Sequence, residues 1–171
     1  ENWVFILAFA YLPLADAHSI AAVSPLLVIG MAAVMLRERA GLHRSLAVTA
    51  GLIGILVILR PSVRAFDWPL LIPFGGAILW ALYQVLVRLC GRHDRSETTL
   101  LWTALTGAVV LSFIAPAEWH QPDATAWLLL LIIGALGSLG NYALIRALDN
   151  AEAGAVQPYS YLLLVFAALW G

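Results

Sequence analysis

Three side chains near the middle of the chain could bind an organic solute. Trp80, Tyr83 and Gln84 stand at i, i+3 and i+4, so on a helix they share one face. An indole, a phenol and an amide on one face suit a cavity that stacks on a solute and hydrogen-bonds it. Alternatively, both rings pack between helices and the amide bonds a neighbouring backbone. We favour the cavity, because Gln84 lies well inside the uncharged run 68–87.

A second cluster lies close to the end of the sequence. Gln157, Pro158, Tyr159, Ser160 and Tyr161 form the densest polar and aromatic group in the apolar sequence. Gln157 and Ser160 share a helix face at i, i+3, which favours a lined cavity. The alternative is a simple helix start, since proline is tolerated in a first turn.

Three further polar residues lie in apolar runs. Asn141 is either an interhelical hydrogen-bonding residue or a cavity residue. Ser24 and His18 lie in the run 17–36, where a polar group needs a partner, water or a ligand, although His18 is close to a loop. The predicted substrate-binding set is therefore Trp80, Tyr83, Gln84, Asn141, Gln157, Tyr159, Ser160, Ser24 and His18.

Nothing in the sequence resembles a catalytic or metal centre. The four histidines are scattered without metal-ligand spacing. The series Gly134-x-x-Gly137-x-x-Gly140 lacks the dinucleotide fingerprint and, like Gly51-x-x-Gly54, predicts close helix packing. We therefore expect no metal, no cofactor and no enzymatic activity. The alternative is a membrane-embedded enzyme acting on a lipid or prenyl substrate, for which Asp16 and His18 are the only close pair at a membrane edge, with no comparable pair on the same side.

The composition identifies the environment of these residues. The chain is 63% apolar, with a mean hydropathy of +0.92 and 11% charged residues. Soluble domains carry about 25% charged residues, so we expect an integral membrane protein. A net charge of −1 argues against a nucleic-acid partner. The sequence begins at Glu1 and closes at Gly171 inside apolar stretches, so we expect a fragment lacking both ends of a longer protein.

Charged residues divide the chain into uncharged runs that predict several membrane passes. The runs are 2–15, 17–36, 45–59, 68–87, 98–117, 124–145 and 153–171. All except the first and third are about long enough to span a bilayer. Alternating sides places Arg37, Arg39, Arg44, Arg88, Arg92, Arg95 and Arg146 on one side and Arg60 and Arg64 on the other. This positive-inside bias predicts a multi-pass membrane protein with the larger set of arginines on the cytoplasmic side.

The sequence also contains a faint internal repeat. With an offset of 139 residues, Ala8–Leu26 aligns with Ala147–Val165 without a gap. Each copy has a helix end, a tight connection and a new run with a proline, Pro25 or Pro158. Five runs separate the copies, so the two hairpins face opposite sides, as in the inverted repeats of secondary transporters.

Several segments carry a family resemblance. They are AYLPLADAHSIAAVSPLLVIGMAAVMLRER, LAVTAGLIGILVILRP, ILWALYQVLVR and ALDNAEAGAVQPYSYLLLVFAALWG. In order and spacing they resemble EamA-type repeats of the drug/metabolite transporter superfamily. The resemblance implies ten helices in two inverted halves, with helices three to five in 1–62, helices six to nine in 63–171, and helices one, two and ten absent. Leu163-Leu164 departs from the family, which usually has a Glu-Pro pair or similar there.

Together these observations predict an all-α integral membrane bundle of two inverted repeats. We expect a secondary transporter that moves a small organic metabolite or drug-like solute across the membrane by alternating access. Its expected partners are that solute and the lipid bilayer. The sequence leaves open whether a second copy forms a homodimer with it.

Overall fold

The computed structural model describes most of the chain. The described residues are 4, 10–12, 14–38, 41–59, 68–114 and 121–170. Within them, side chains are described except at 14–16, 18, 44, 55, 58, 59, 114 and 163–170.

The described residues form helices and connecting turns, and no strand occurs among them. The helices are α1 (Leu14–Ala21), α2 (Ser24–Met35), α3 (Leu42–Leu59), α4 (Leu71–Cys90), α5 (Ser96–Ile114), α6 (Ala124–Asn150) and α7 (Ala153–Trp170). A short 3-10 turn, Trp68–Leu70, precedes α4. The predicted all-α architecture is confirmed.

Two of the described helices are long and apolar enough to cross a membrane. They are the 23 residues Trp68–Cys90 and the 27 residues Ala124–Asn150. At about 1.5 Å per residue, each exceeds the ~30 Å hydrocarbon thickness of a bilayer. The stretches Ser19–Met35 and Ser45–Gly54 are apolar but shorter.

The run 17–36, predicted as one spanning helix, is interrupted. Helix α1 ends at Ala21 and α2 begins at Ser24. The N–H groups of Leu26 and Leu27 both bond to Val23 O, at 3.0 and 3.3 Å, so Ala22 O has no intrahelical donor. Pro25 accounts for the break, because it has no N–H to continue the hydrogen bonds of α1, whereas a proline is well tolerated in the first turn of α2. The prediction of a single helix here was wrong.

The corresponding part of the second copy is continuous. Helix α7 contains Pro158 and runs unbroken through Leu164 to Trp170. The 139-residue offset aligns Leu164 with Pro25. Leucine keeps its N–H, so the departure from the family's Glu-Pro pair coincides with an uninterrupted helix.

The described residues cluster into two compact units. One comprises residues 1–86 with 151–171, and the other comprises 87–150. The first unit draws on both predicted repeats, because α7 packs against α2 and α3. Its core cluster is Ala22, Ile29, Val48 and Tyr161, with Leu26 and Leu52 packed against it. The predicted boundary between repeats near residue 62 stays a prediction.

A turn after α2 fixes the start of α7. Arg37 adopts a positive φ of 56°, and the Glu38 N–H turns back to Ala32 O at 3.4 Å. The Glu38 carboxylate then accepts a 2.9 Å hydrogen bond from the Ala153 N–H. A carboxylate at this position satisfies an otherwise unbonded N–H group and interacts favourably with the helix dipole.

In the second unit, α5 packs beside α6. The Asp123 carboxylate caps α6 by accepting a 2.7 Å bond from the Ala126 N–H. Apart from adjacent residues and the backbone of α6 itself, no described heavy atom lies within 4 Å of the Cβ positions of Gly134, Gly137 or Gly140. Residues of this chain that the structure describes therefore do not supply the predicted packing partner of this glycine series.

Gly51 offers a direct test of the core of the first unit. A Cβ at Gly51 would overlap the Tyr161 ring, which is only 7% exposed, whereas a Cβ at Gly54 meets nothing within 4 Å. We expect Gly51→Ala to lower the unfolding free energy by about 1–3 kcal/mol through overpacking. Gly54→Ala should be neutral or stabilising by up to ~1 kcal/mol, since alanine favours the helix. Thermal unfolding in detergent micelles measures both, and equal stability of the two variants would contradict the packing.

Candidate binding site

A buried pair of amides forms the centre of the candidate site. Gln84 on α4 and Gln157 on α7 are 1% and 0% exposed, respectively. Gln157 Nε2 donates a 3.1 Å hydrogen bond to Gln84 Oε1. Both residues belong to the first compact unit, and both were in the predicted binding set. The structure therefore brings together the two sequence clusters at their amide residues.

Gln157 also bonds the backbone of its own helix. Its Nε2 donates a second bond, of 3.0 Å, to Ala153 O, in the turn that precedes Pro158. Pro158 provides no N–H to this turn, and its ring crowds the carbonyl four residues earlier. Gln157 Oε1 is buried and has no hydrogen-bond partner in the described part of the chain. The side chain thus uses both donor hydrogens and leaves one acceptor unused.

The two aromatic residues of α4 stack on each other. The ring centroids of Trp80 and Tyr83 lie 5.4 Å apart with an interplanar angle of 21°. Both side chains are half-buried, and helical spacing places them on the same face as Gln84. The pair therefore forms a two-ring aromatic stack one turn or less from Gln84 of the buried amide pair.

The other predicted residues are distributed less uniformly. Ser160, half-buried, lies one turn beyond Gln157, and Ser24 is half-buried at the start of α2. Tyr159 is 71% exposed, because two helical positions turn it about 200° from Gln157. Asn141 is half-buried in the second compact unit. The side chain of His18 lies outside the described residues.

The predicted binding set omitted Tyr161, which the structure places at the helix interruption. Its hydroxyl donates a 2.9 Å hydrogen bond to Ala22 O, the carbonyl released between α1 and α2. Ala22 and Tyr161 are also equivalent positions under the 139-residue offset. A two-fold axis that relates two copies passes through any contact between equivalent residues. The hydrogen bond therefore marks where such an axis would cross, and the alignment of Ala22 with Tyr161 was the available sequence signal.

The second unit has polar contacts of its own. Arg88 donates to the carbonyls of Leu148 and Asp149 at 2.8 and 3.0 Å, which caps the end of α6. Ser96 donates to the Asp149 carboxylate. These contacts hold the ends of helices together, as expected for charges at membrane edges.

Glu97 lies at the start of α5 and is exposed to solvent. A backbone hydrogen bond to its carboxylate, the Tyr142 hydroxyl at 3.2 Å and the Arg95 charge all hold the pKa of Glu97 below its usual value. Among the residues that the structure describes, no three His, Cys, Asp or Glu side chains are grouped to hold a metal ion.

The helical fold, its long apolar helices and the composition define an α-helical membrane protein. Residues 67–171, more than half of the chain, match the model of the EamA-like transporter family. The chain belongs to this family, which confirms the resemblance found in the sequence.

Three curated relatives are similar over almost the whole chain. A riboflavin transporter of Vibrio cholerae is 31% identical over 172 residues, covering 100% of this chain and 57% of its own length. An S-adenosylmethionine uptake transporter of Rickettsia prowazekii is 27% identical over 168 residues, covering 98% and 56%. A pseudopaline exporter of Pseudomonas aeruginosa is 30% identical over 174 residues, covering 98% and 60%. The chain thus spans less than two thirds of the length of these relatives.

A solved crystal structure has a similar fold. It covers 97% of this chain and 64% of its own, with a TM-score of 0.72 and 23% identity. At this identity the similarity concerns the fold alone.

The hydrogen bonds of Gln157 predict a large structural effect of its removal. Gln157→Leu leaves the acceptors Gln84 Oε1 and Ala153 O without this donor. We expect the unfolding free energy to fall by about 1–3 kcal/mol, the cost of leaving buried polar groups unsatisfied. The matched control is Leu162→Ala, because Leu162 is an exposed residue of the same helix. Equal stability of the two variants in thermal unfolding would show that the amide pair does not contribute to the unfolding free energy.

Proposed function

We propose that the full-length protein containing this chain is a secondary transporter that binds a small organic metabolite at the Gln84–Gln157 amide pair. The observation that carries the proposal is the fully buried acceptor Gln157 Oε1, which has no hydrogen-bond partner among the residues that the structure describes. Buried polar atoms are almost always hydrogen-bonded, so an unused one in an apolar bundle favours an absent ligand.

The neighbouring residues complete the proposed site. The stacked rings of Trp80 and Tyr83 provide an apolar aromatic surface, and Ser160 provides a hydroxyl one turn beyond Gln157. A few polar groups beside aromatic rings are typical of small-molecule sites. The remaining members of the predicted binding set stay predictions for the complete protein: Asn141, Ser24, His18 and Tyr159.

The polarity of the site indicates the kind of solute. The buried polar side chains described in the first unit are Ser19, Gln84 and Gln157, and all are uncharged. A strongly charged solute would need an opposite charge to offset its desolvation. We therefore infer a neutral or zwitterionic solute, or an aromatic one.

Movement would follow the alternating-access scheme of inverted-repeat transporters, with one half rocking against the other. The interruption between α1 and α2 supports this proposal, because a broken helix can change its angle there without losing further backbone hydrogen bonds. The location would be a bacterial inner membrane that the protein crosses several times. The relatives are named as transporters, which favours carriage over catalysis.

Counterflow in proteoliposomes tests this function. The full-length protein would be loaded with one unlabelled solute at a time, and entry of the labelled solute measured with no gradient imposed. The panel would contain vitamins, nucleosides, amino acids and amphipathic cations. We expect saturable exchange for one class, and at least a tenfold loss in the double variant Trp80→Ala, Gln84→Ala, because the apolar surface and an amide of the pair are both removed.

The control is Leu86→Ala, because Leu86 lies on the same helix and its side chain is exposed. It should retain exchange. Undiminished exchange in the double variant would exclude the proposed site, and absence of exchange for every solute by a folded protein would exclude the proposed function.

A further inference from the structure

The hydrogen-bonding capacity left over in the amide pair indicates what the solute must offer. Both hydrogens of Gln157 Nε2 are used, one by Gln84 Oε1 and one by Ala153 O. The remaining hydrogen-bonding atom of Gln157 is the acceptor Oε1, which is buried and bonds none of the described residues. A ligand bonded to this atom must therefore supply a hydrogen-bond donor.

Gln84 complements this acceptor. Its Oε1 is engaged by Gln157, and its Nε2 carries two donor hydrogens that this bond does not use. Because the two amides are joined at 3.1 Å, the donor of one residue and the acceptor of the other belong to a single polar cluster. A molecule with an N–H group next to a carbonyl on one edge can bond both residues, with the N–H donating to Gln157 Oε1 and the carbonyl accepting from Gln84 Nε2.

The aromatic pair adds a shape requirement. Trp80 and Tyr83 are stacked on each other with an interplanar angle of 21° and remain half-buried, so the outer ring faces of the stack provide an aromatic surface on the helix face that carries Gln84. Planar rings stack favourably on such a surface. The bonded edge and the stacked face are then features of the same planar molecule.

We propose that the solute class is a planar nitrogen heterocycle with a ring N–H beside a carbonyl, the edge that uracil-like rings present. This inference rests on the proposed function and deepens it. Gln157 accepts from the ring N–H, Gln84 donates to the neighbouring carbonyl, and the Trp80–Tyr83 pair stacks on the ring.

A pair of flavins tests the edge without altering the protein. Riboflavin carries a ring N–H between two carbonyls, and 3-methylriboflavin replaces that hydrogen by a methyl group. Binding of each to the full-length protein in detergent micelles would be followed by flavin fluorescence. We expect 3-methylriboflavin to bind at least tenfold more weakly, because it cannot donate to Gln157 and leaves that buried acceptor unsatisfied.

Variants locate the effect. The preference for riboflavin should fall to near one in Gln157→Leu, and it should persist in Leu162→Ala on the same helix. If Gln157→Leu does not fold, Gln84→Leu provides the second test, because it removes the donor to the carbonyl and leaves Gln157 in place. Gln84→Leu should weaken riboflavin binding at least fivefold.

Two results would overturn the inference: equal affinity for both flavins, or no binding of either by folded protein. Counterflow measurements distinguish a wrong solute class from a wrong transport function. Exchange of a solute without a ring N–H, such as an amphipathic cation, unchanged in Gln157→Leu would overturn the inference and leave the transporter in place. Discriminating flavin binding without exchange of any solute would support the inference and exclude the transporter.

Discussion

The structure depends on one constraint, the need of backbone carbonyls in apolar surroundings for hydrogen-bond donors. The interruption at Pro25 releases Ala22 O, and the Tyr161 hydroxyl from another helix bonds it at 2.9 Å. In the turn before Pro158, the Gln157 side chain bonds Ala153 O. The first of these bonds satisfies a carbonyl that a helix interruption leaves without an intrahelical donor, as helix irregularities in membrane proteins require. The core of the first unit forms around the first of these bonds.

The same constraint gives the candidate site its character. Gln157 is held by two hydrogen bonds, so its orientation is fixed before any ligand arrives. Fixing the amide in this way leaves Oε1 buried with no partner among the described residues, at a cost of about 1–3 kcal/mol that a suitable ligand would offset. In this account Nε2 of Gln157 stabilises the fold and Oε1 binds the solute. The structural and the solute-binding interpretations of Gln157 are therefore compatible.

The sequence predicted the long apolar helices, the aromatic helix face and the family, and each feature that it did not predict has a physical reason. Uncharged runs predicted α4 and α6, because length and polarity alone decide whether a helix can span. Helical spacing placed Trp80 and Tyr83 on the face of Gln84, and family membership followed from the segment order. The break at Ala22 was missed because hydropathy does not show whether a proline lies within a helix or in its first turn. Contact of Gln84 with Gln157, 73 positions apart, depends on packing that no local pattern encodes.

The central claim is that the amide pair lies on the path of a transported solute, and cysteine accessibility tests it most directly. Cys90 is the single cysteine of this sequence, so Cys90→Ser removes it, and Ser160→Cys places a thiol one turn from Gln157. The full-length protein, freed of any other cysteine, would be labelled in right-side-out and inverted vesicles with a membrane-impermeant thiol reagent. The account predicts labelling from both sides, slowed by transported solute. Absence of labelling from either side, in protein that still exchanges solute, would contradict it.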